Sequence, residues 1–391
     1  MQPFYYSWTR QDRAVEFPVQ SAVQDEFILD DGRRVYDFIS TSFQTNFGHS
    51  NESIRNAIAQ QLSSMPIASP KSTFELKSTV SDRLNRLINR GTGKIFFTVS
   101  GAESVENALK IARQITGRKM ILARRKSYHG ATLGALSVTG DWRNEPHLTF
   151  DDATIRIPEH DDDPDLSQTT NIIEQAGPDQ IAAVILETIS GTNGMSIPPQ
   201  SWFDGIQKLC RNFGIMLIID EVLVGFGRCG SDFAFHDYGI APDLVCLSKA
   251  ISGGYVPFGA VWTSPQIASY YDSEVLCCGL TNYGHPLGLA ALNAVLNLLA
   301  NQSFRDQMKS LEIAFKSELK NMAAKKDVIE LRIQGLMAAI YFNHDAPSWQ
   351  LGFDAGLHFF GKENYCILAP PYVSTAQRLQ QAIGNLESLL P

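Results

Sequence analysis

Short apolar runs alternate with amphipathic stretches through the middle of the chain, and this alternation sets the first structural expectation. Phe96-Phe97-Thr98-Val99 is followed by a segment in which Val105, Ala108, Leu109 and Ala112 recur at helical spacing. Ile181 to Leu186, Ile215 to Ile219 and Leu244 to Leu247 are further apolar runs of strand length. Runs that are apolar throughout predict strands covered on both faces. Strands separated by helices predict an α/β fold with a mainly parallel central sheet.

Toward both ends the pattern changes. Residues 22–38 carry β-type segments around Asp31-Gly32, a two-residue hairpin signal, and helical patterning sets in from about residue 50. A long helical stretch is expected from Gly288 to about Lys326, a strand from Val328 to Phe342, and mixed structure ending in a helix over residues 350–391. The polar segment Glu159-His-Asp-Asp-Asp-Pro-Asp-Leu-Ser is expected as a surface loop. A chain of 391 residues is too long for one small core. The expected division is residues 1–50 and 301–391 as the two parts of one small α/β domain, with 51–300 as the large domain.

Composition narrows the function. The formal net charge of −8 argues against nucleic acid or an anionic membrane as the main partner. No stretch approaches the roughly 18 apolar residues of a membrane helix. The first ten residues lack the basic-then-apolar pattern of a leader. Cys210, Cys229, Cys246, Cys277, Cys278 and Cys366 form no Cys-x-x-Cys pair, which suits a cytoplasmic protein with reduced thiols.

Two strand ends carry candidate chemistry. Lys249 lies two residues beyond Leu244 to Leu247, and the run Ile215 to Ile219 ends on Asp220. A lysine in apolar surroundings has a lowered pKa, as a Schiff-base amine requires. A carboxylate beside it suits the protonated ring nitrogen of pyridoxal phosphate. The plainer alternative for Lys249 alone is a strand-end lysine reaching solvent. Ser100-Gly101-Ala102-Glu103 opens the amphipathic helix and is either a phosphate-binding helix start or a simple cap with Ser100 as N-cap. Gly225-Phe-Gly-Arg-Cys-Gly230 matches a dinucleotide-loop pattern, but it neither leaves its strand directly nor opens an apolar helix. Arg228 is therefore read as a structural tie.

Five ordered blocks make the chain resemble the class III pyridoxal-phosphate-dependent aminotransferases, the ornithine, 4-aminobutyrate and diaminopelargonate group. They are Ser100 to Arg113, Ser127-Tyr-His-Gly-Ala-Thr132, Leu217 to Gly230, Ala241 to Gly254, and Thr281-Asn-Tyr-Gly-His-Pro286. The resemblance implies a fold-type-I transferase and makes Lys249 the Schiff-base lysine and proton carrier, with Asp220 at the ring nitrogen. Tyr128 and Val222 would sandwich the ring, and His129 would pack or hydrogen-bond nearby. Ser100, Gly101 and Ala102 would hold the phosphate. Thr281 would reach the cofactor of a neighbouring subunit, which implies a homodimer with its active sites at the interface. Glu187, where the family often has Glu-Pro, would be either a gate for a carboxylate-binding arginine or a polar strand end; this chain follows it with Thr188.

The resemblance fails at one place. The family usually carries that arginine near a Pro-Pro pair, whereas Gly356 to Pro371 contains none, and Lys362 offers only a point charge. The ending Ile367-Leu-Ala-Pro-Pro-Tyr372 is most similar to the diaminopelargonate and ω-transaminase branch. Tyr5, Tyr6, Trp8, Phe43, Trp142 and Gly279 are candidates for the substrate pocket, and Arg143 is a candidate for the missing cation. The expected activity is ping-pong transfer of an amino group from a primary amine or ω-amino acid to an oxo acid or aldehyde. A racemase or aminomutase of the same family, and a non-catalytic cofactor-binding protein, are the alternatives. No metal is expected.

Overall fold

Strand ends in a computed structural model, which describes residues 3–147 and 153–390, gather the polar groups singled out above on one side of a central sheet. The chain begins with an antiparallel meander of β1 (Val19–Val23), β2 (Glu26–Leu29) and β3 (Arg34–Asp37). The hairpin expected at Asp31-Gly32 is present with a four-residue loop, 30–33, rather than two residues. Asp31 pairs with Arg33 there at 2.7 Å, and Gly32 takes the left-handed φ of 85° that the turn needs.

The central sheet holds β4 (Lys94–Thr98), β5 (Met120–Arg124), β6 (Thr154–Ile157), β7 (Ile181–Glu187), β8 (Met216–Asp220), β9 (Leu244–Leu247) and β10 (Gly259–Thr263). Their order is β4-β10-β9-β8-β7-β5-β6, parallel except for β10, which runs against both neighbours. Strand alternation sorts the apolar runs into two layers. Ile185, Ile218 and Cys246 pack with Val105, Ala108 and Leu109 of the helix Gly101–Thr116. Leu186, Leu217, Ile219 and Val245 face the other way, toward Trp202, Phe203 and Ile206 of the helix Gln200–Phe213. The α/β expectation therefore holds, and its physical cause is that both sheet faces are covered.

Two expectations for the later part of the chain need correction. The helical stretch after Gly288 is two helices, Pro286–Ala300 and Gln302–Ala323, bent by 74° at Asn301, whose side chain caps the second by accepting the Phe304 N–H at 3.1 Å. The single strand expected from Val328 to Phe342 is a hairpin of β11 (Val328–Gln334) and β12 (Met337–Phe342), broken where Gly335 adopts a φ of 57°. β13 (Leu357–His358) pairs in parallel with β3. β14 (Phe360–Lys362) and β15 (Tyr365–Leu368) complete a third sheet of order β11-β12-β15-β14. No single helix among the described residues is long and apolar enough to cross a membrane.

Arg228 is the structural tie expected from the sequence. Its fully buried guanidinium donates from Nη1 to the carbonyls of Leu336 and Pro370, each at 2.8 Å, and from Nη2 to Ser40 Oγ at 3.0 Å and to Asn46 Oδ1. Three segments distant in sequence, around residues 40–46, 336 and 370, meet on one side chain. Lysine cannot reproduce this fork, so Arg228→Lys is expected to cost about 3 kcal/mol, read as a lower urea midpoint at unchanged slope.

Candidate active site

Parallel pairing puts Asp220, the last residue of β8, beside Glu187, the last of β7, and beside Cys246 of β9. Beyond β9 the chain turns sharply: Lys249 has φ 51° and opens a short 3-10 turn closed by Gly253 at φ 64°. Left-handed backbone at a residue other than glycine costs about 1 kcal/mol or more and is typical of functional sites. Lys249, Asp220 and Glu187 all line one cavity of about 220 Å³.

Each charged group there is held or tuned. Asp220 Oδ2 lies 2.7 Å from His129 Nδ1, and Oδ1 accepts the Val222 N–H at 3.0 Å. Glu187 Oε1 accepts the Tyr128 N–H at 3.2 Å. Burial lowers the pKa of Lys249, with Asp220 and Glu187 opposing that shift. Burial raises Glu187, opposed by His129 and Arg124 and reinforced by Asp220. Glu221, fully buried behind Asp220, is pushed up to about 7 by burial although Thr188 Oγ1 and the N–H groups of Ala234 and Phe235 all donate to it.

The helix Gly101–Thr116 points its N-terminus at the same space. Ser100 and Glu103 fix the helix start: Ser100 Oγ accepts the Glu103 N–H at 3.1 Å, and Glu103 Oε2 reaches back to accept the Val99 N–H at 2.9 Å. Ser100 is thus a cap, and Gly101 and Ala102, whose N–H groups have no intrahelical acceptor, line the cavity. A Cβ on Gly101 would stand 2.8 Å from Val222 Cγ1, and one on Gly130 would stand 2.6 Å from Ala102 Cβ, so side chains are kept off this floor. Tyr128, His129 and Val222 are in the same lining.

The remaining sequence candidates are placed differently. Phe43 is buried, with its ring centroid 5.6 Å from Lys249 Nζ. The Arg143 guanidinium carbon stands 4.7 Å from the Tyr128 ring centroid, 5.4 Å from that of Trp8 and 5.2 Å from that of Trp142. Its Nη1 pairs with Asp141, while its buried Nε has no hydrogen-bond partner among the described residues. Tyr5 is almost fully exposed, Tyr6 packs edge-on against Phe4, and Gly279 and Thr281 lie exposed outside the cavity. Where the sequence lacks the expected arginine, Ile367 packs in an apolar cluster with Phe43 and Leu223, and Lys362 pairs with Glu363 at 3.4 Å.

Sequence reading missed several lining residues: Gly130, Ala131, Thr192, Leu223 and Ser248. Four of these lie inside the blocks that carry the resemblance, and Thr192 lies outside them, between two glycines in Gly191-Thr-Asn-Gly194. Its carbonyl accepts the Tyr365 hydroxyl at 3.1 Å, and the Gly194 carbonyl accepts the Tyr341 hydroxyl at 2.7 Å, so the third sheet fixes this rim of the cavity.

An amine of lowered pKa, a carboxylate oriented by an imidazole and an uncovered helix N-terminus suit the aldehyde, ring nitrogen and phosphate of pyridoxal phosphate. The family model for class III aminotransferases matches residues 9–390. The acetylornithine aminotransferase of Methanosarcina acetivorans is 30% identical over 94% of this chain and 89% of its own length. The ω-aminotransferase of Caulobacter vibrioides is 30% identical over 92% and 90%. Among solved structures, a taurine:2-oxoglutarate aminotransferase from Bifidobacterium kashiwanohense, in complex with pyridoxal phosphate and glutamate, superposes with a TM-score of 0.93. It is 31% identical and covers 98% of this chain and 94% of that one. Fold, site chemistry and relatives agree: the chain belongs to the class III aminotransferases and is an enzyme that transfers amino groups with pyridoxal phosphate.

Proposed function

We propose that the amino donor is a primary amine or short ω-amino acid, that the acceptor is an oxo acid or aldehyde, and that Arg143 pairs with the acid end of an acidic donor. The observation that carries this reading is the contrast between two places. The usual arginine position is apolar around Ile367, whereas the Arg143 guanidinium stacks on the cavity residue Tyr128 and its buried Nε–H has no partner among the described residues. The names of two relatives, an ω-aminotransferase and a taurine:2-oxoglutarate aminotransferase, are in keeping with a donor whose amine is not on the carbon that bears its acid group.

When bound, pyridoxal phosphate supplies an aldehyde that captures the amine and a ring that accepts electrons as the Cα–H bond breaks. Gly101 and Ala102 would hold the phosphate through backbone N–H groups, with the helix dipole assisting. Tyr128 and Val222 would flank the ring. Asp220, oriented by His129, would serve the ring nitrogen as its acidic partner. Lys249 Nζ, whose charged form burial disfavours, would take the proton from the donor Cα and deliver it to the cofactor's carbonyl carbon. The second half-reaction uses the same groups in reverse.

Pairing of β3 with β13 supports a small domain made of residues 1–50 and 301–391 beside a large domain, 51–300. The exposed loop with Gly279 and Thr281 supports a homodimer in which Thr281 reaches the partner's cofactor. Six free cysteines support a cytoplasmic location.

Single-turnover mixing of the holoenzyme with 4-aminobutanoate, butylamine and glutamate tests the donor assignment. Glutamate is expected to be the slowest, because its α-carboxylate meets no bidentate partner. Arg143→Ala is expected to slow 4-aminobutanoate by about 10- to 100-fold, the loss of one charge-assisted hydrogen bond. Glutamate as best donor, handled normally by the Arg143 variant, would place the acid-binding group elsewhere.

A further inference from the structure

Asp37, the last residue of β3, is fully buried and collects five hydrogen bonds on one carboxylate. Oδ1 accepts the Thr41 N–H at 2.9 Å and meets His358 Nδ1 at 3.0 Å. Oδ2 accepts the hydroxyls of Thr41 at 2.7 Å and Thr45 at 3.2 Å, and meets His49 Nε2 at 2.8 Å. Burial alone would raise this carboxyl, yet the bonds from His358 and His49 hold it well below the ordinary carboxylate range, so it stays an acceptor only.

The segment that Asp37 grips has unusual backbone. Ser40, Thr41, Ser42 and Phe43 have φ of 46°, 46°, 62° and 68°, and none is glycine. Consecutive left-handed residues cost roughly 1 kcal/mol each or more, so such a turn persists only where its surroundings over-determine it. Asp37 holds it from one side. On the other, Ser40 Oγ donates to the Ala369 carbonyl at 2.6 Å and accepts from Arg228 Nη2 at 3.0 Å. The turn ends on Phe43, whose ring centroid lies 5.6 Å from Lys249 Nζ, close enough for the aromatic face to favour positive charge on that nitrogen.

We propose that Asp37 is a positioning residue for the catalytic amine: it holds a left-handed turn, Ser40–Phe43, whose product is the placement of the Phe43 ring against Lys249. Asp37 does not line the cavity and acts through Phe43. Asp220 and Glu187, the other charged groups acting on the amine, are untouched by the changes below.

The test is the pH titration of the holoenzyme's visible absorbance, which follows protonation at the bond between Lys249 and the cofactor. Asp37→Asn sets an NH₂ donor among donors, and Phe43→Leu removes the ring. Each should move the midpoint by about half a pH unit, in the same direction. The double variant should move it no further than the larger single shift, because both act on one contact. Ser42 is exposed, and Ser42→Gly relieves the left-handed cost; added to Asp37→Asn it should return the midpoint toward wild type. Should Asp37→Asn give no folded protein, Thr41→Val replaces it, losing the hydroxyl bond and keeping the N–H bond. Additive shifts in the double variant, an unmoved midpoint in a folded Asp37 or Thr41 variant, or no return with Ser42→Gly would each overturn the proposal.

Discussion

Lys249→Ala is expected to abolish amino transfer and the visible absorbance of the lysine–cofactor bond, while the protein still folds and takes up the cofactor. The two halves of this expectation have separate causes. The amine is the one group in the cavity with a burial-lowered pKa that can both hold the cofactor covalently and shuttle the Cα proton. The groups assigned to the phosphate are backbone N–H groups at a helix start, and those at the ring are Tyr128, Val222 and Asp220; none depends on the lysine side chain. Lys249 also lies past the end of β9, outside the two apolar layers of the sheet. Turnover, absorbance and thermal midpoint measured on one preparation check all three parts. Normal turnover with an unchanged spectrum would mean that a different lysine does the chemistry.

Asp220→Asn should slow proton transfer by roughly 10²-fold or more, the scale seen when a preorganised electrostatic partner is removed from a buried site. The substitution keeps the shape of the side chain. An amide oxygen can still accept the Val222 N–H now held at 3.0 Å, and the amide can still meet His129. What disappears is the negative charge, and with it the protonated state of the ring nitrogen on which electron withdrawal depends. The folding cost should be modest, about 1 to 2 kcal/mol for a weakened buried hydrogen bond. Stopped-flow half-reaction rates and urea unfolding separate the two effects. A near wild-type rate would remove this carboxylate from the mechanism.

The sheet and the two charged strand ends were legible because their causes are local. Runs such as Ile181 to Leu186 are apolar on both strand faces, and only a covered parallel sheet accommodates them. Lys249 and Asp220 are each chained to the end of such a run, so the fold brings them together without further information. Breaks inside regular patterns were less legible, although their signals were present: Asn301 caps a second helix, and Gly335 turns a hairpin.

The left-handed turn was invisible for a physical reason. Ser40-Thr-Ser-Phe43 contains no glycine, and one of the residues that stabilise it through Asp37 is His358, contributed by a strand more than three hundred positions away. Local propensity opposes that conformation, and tertiary hydrogen bonds impose it. The same holds for Arg143. Its loop gives no local sign of its neighbours, and only the fold surrounds it with Tyr128, Trp8 and Trp142. For Ser100 the fold shows a hydrogen bond that the sequence left open. The serine is a cap, and the residues that follow it carry the open N–H groups.

Borohydride reduction of the holoenzyme followed by peptide mass mapping tests the central claim most directly, because reduction fixes the cofactor to whichever amine holds it. The account predicts one cofactor per chain, attached to Lys249 within the segment that follows Leu247. Label on any other lysine, or no label after confirmed cofactor binding, would contradict it.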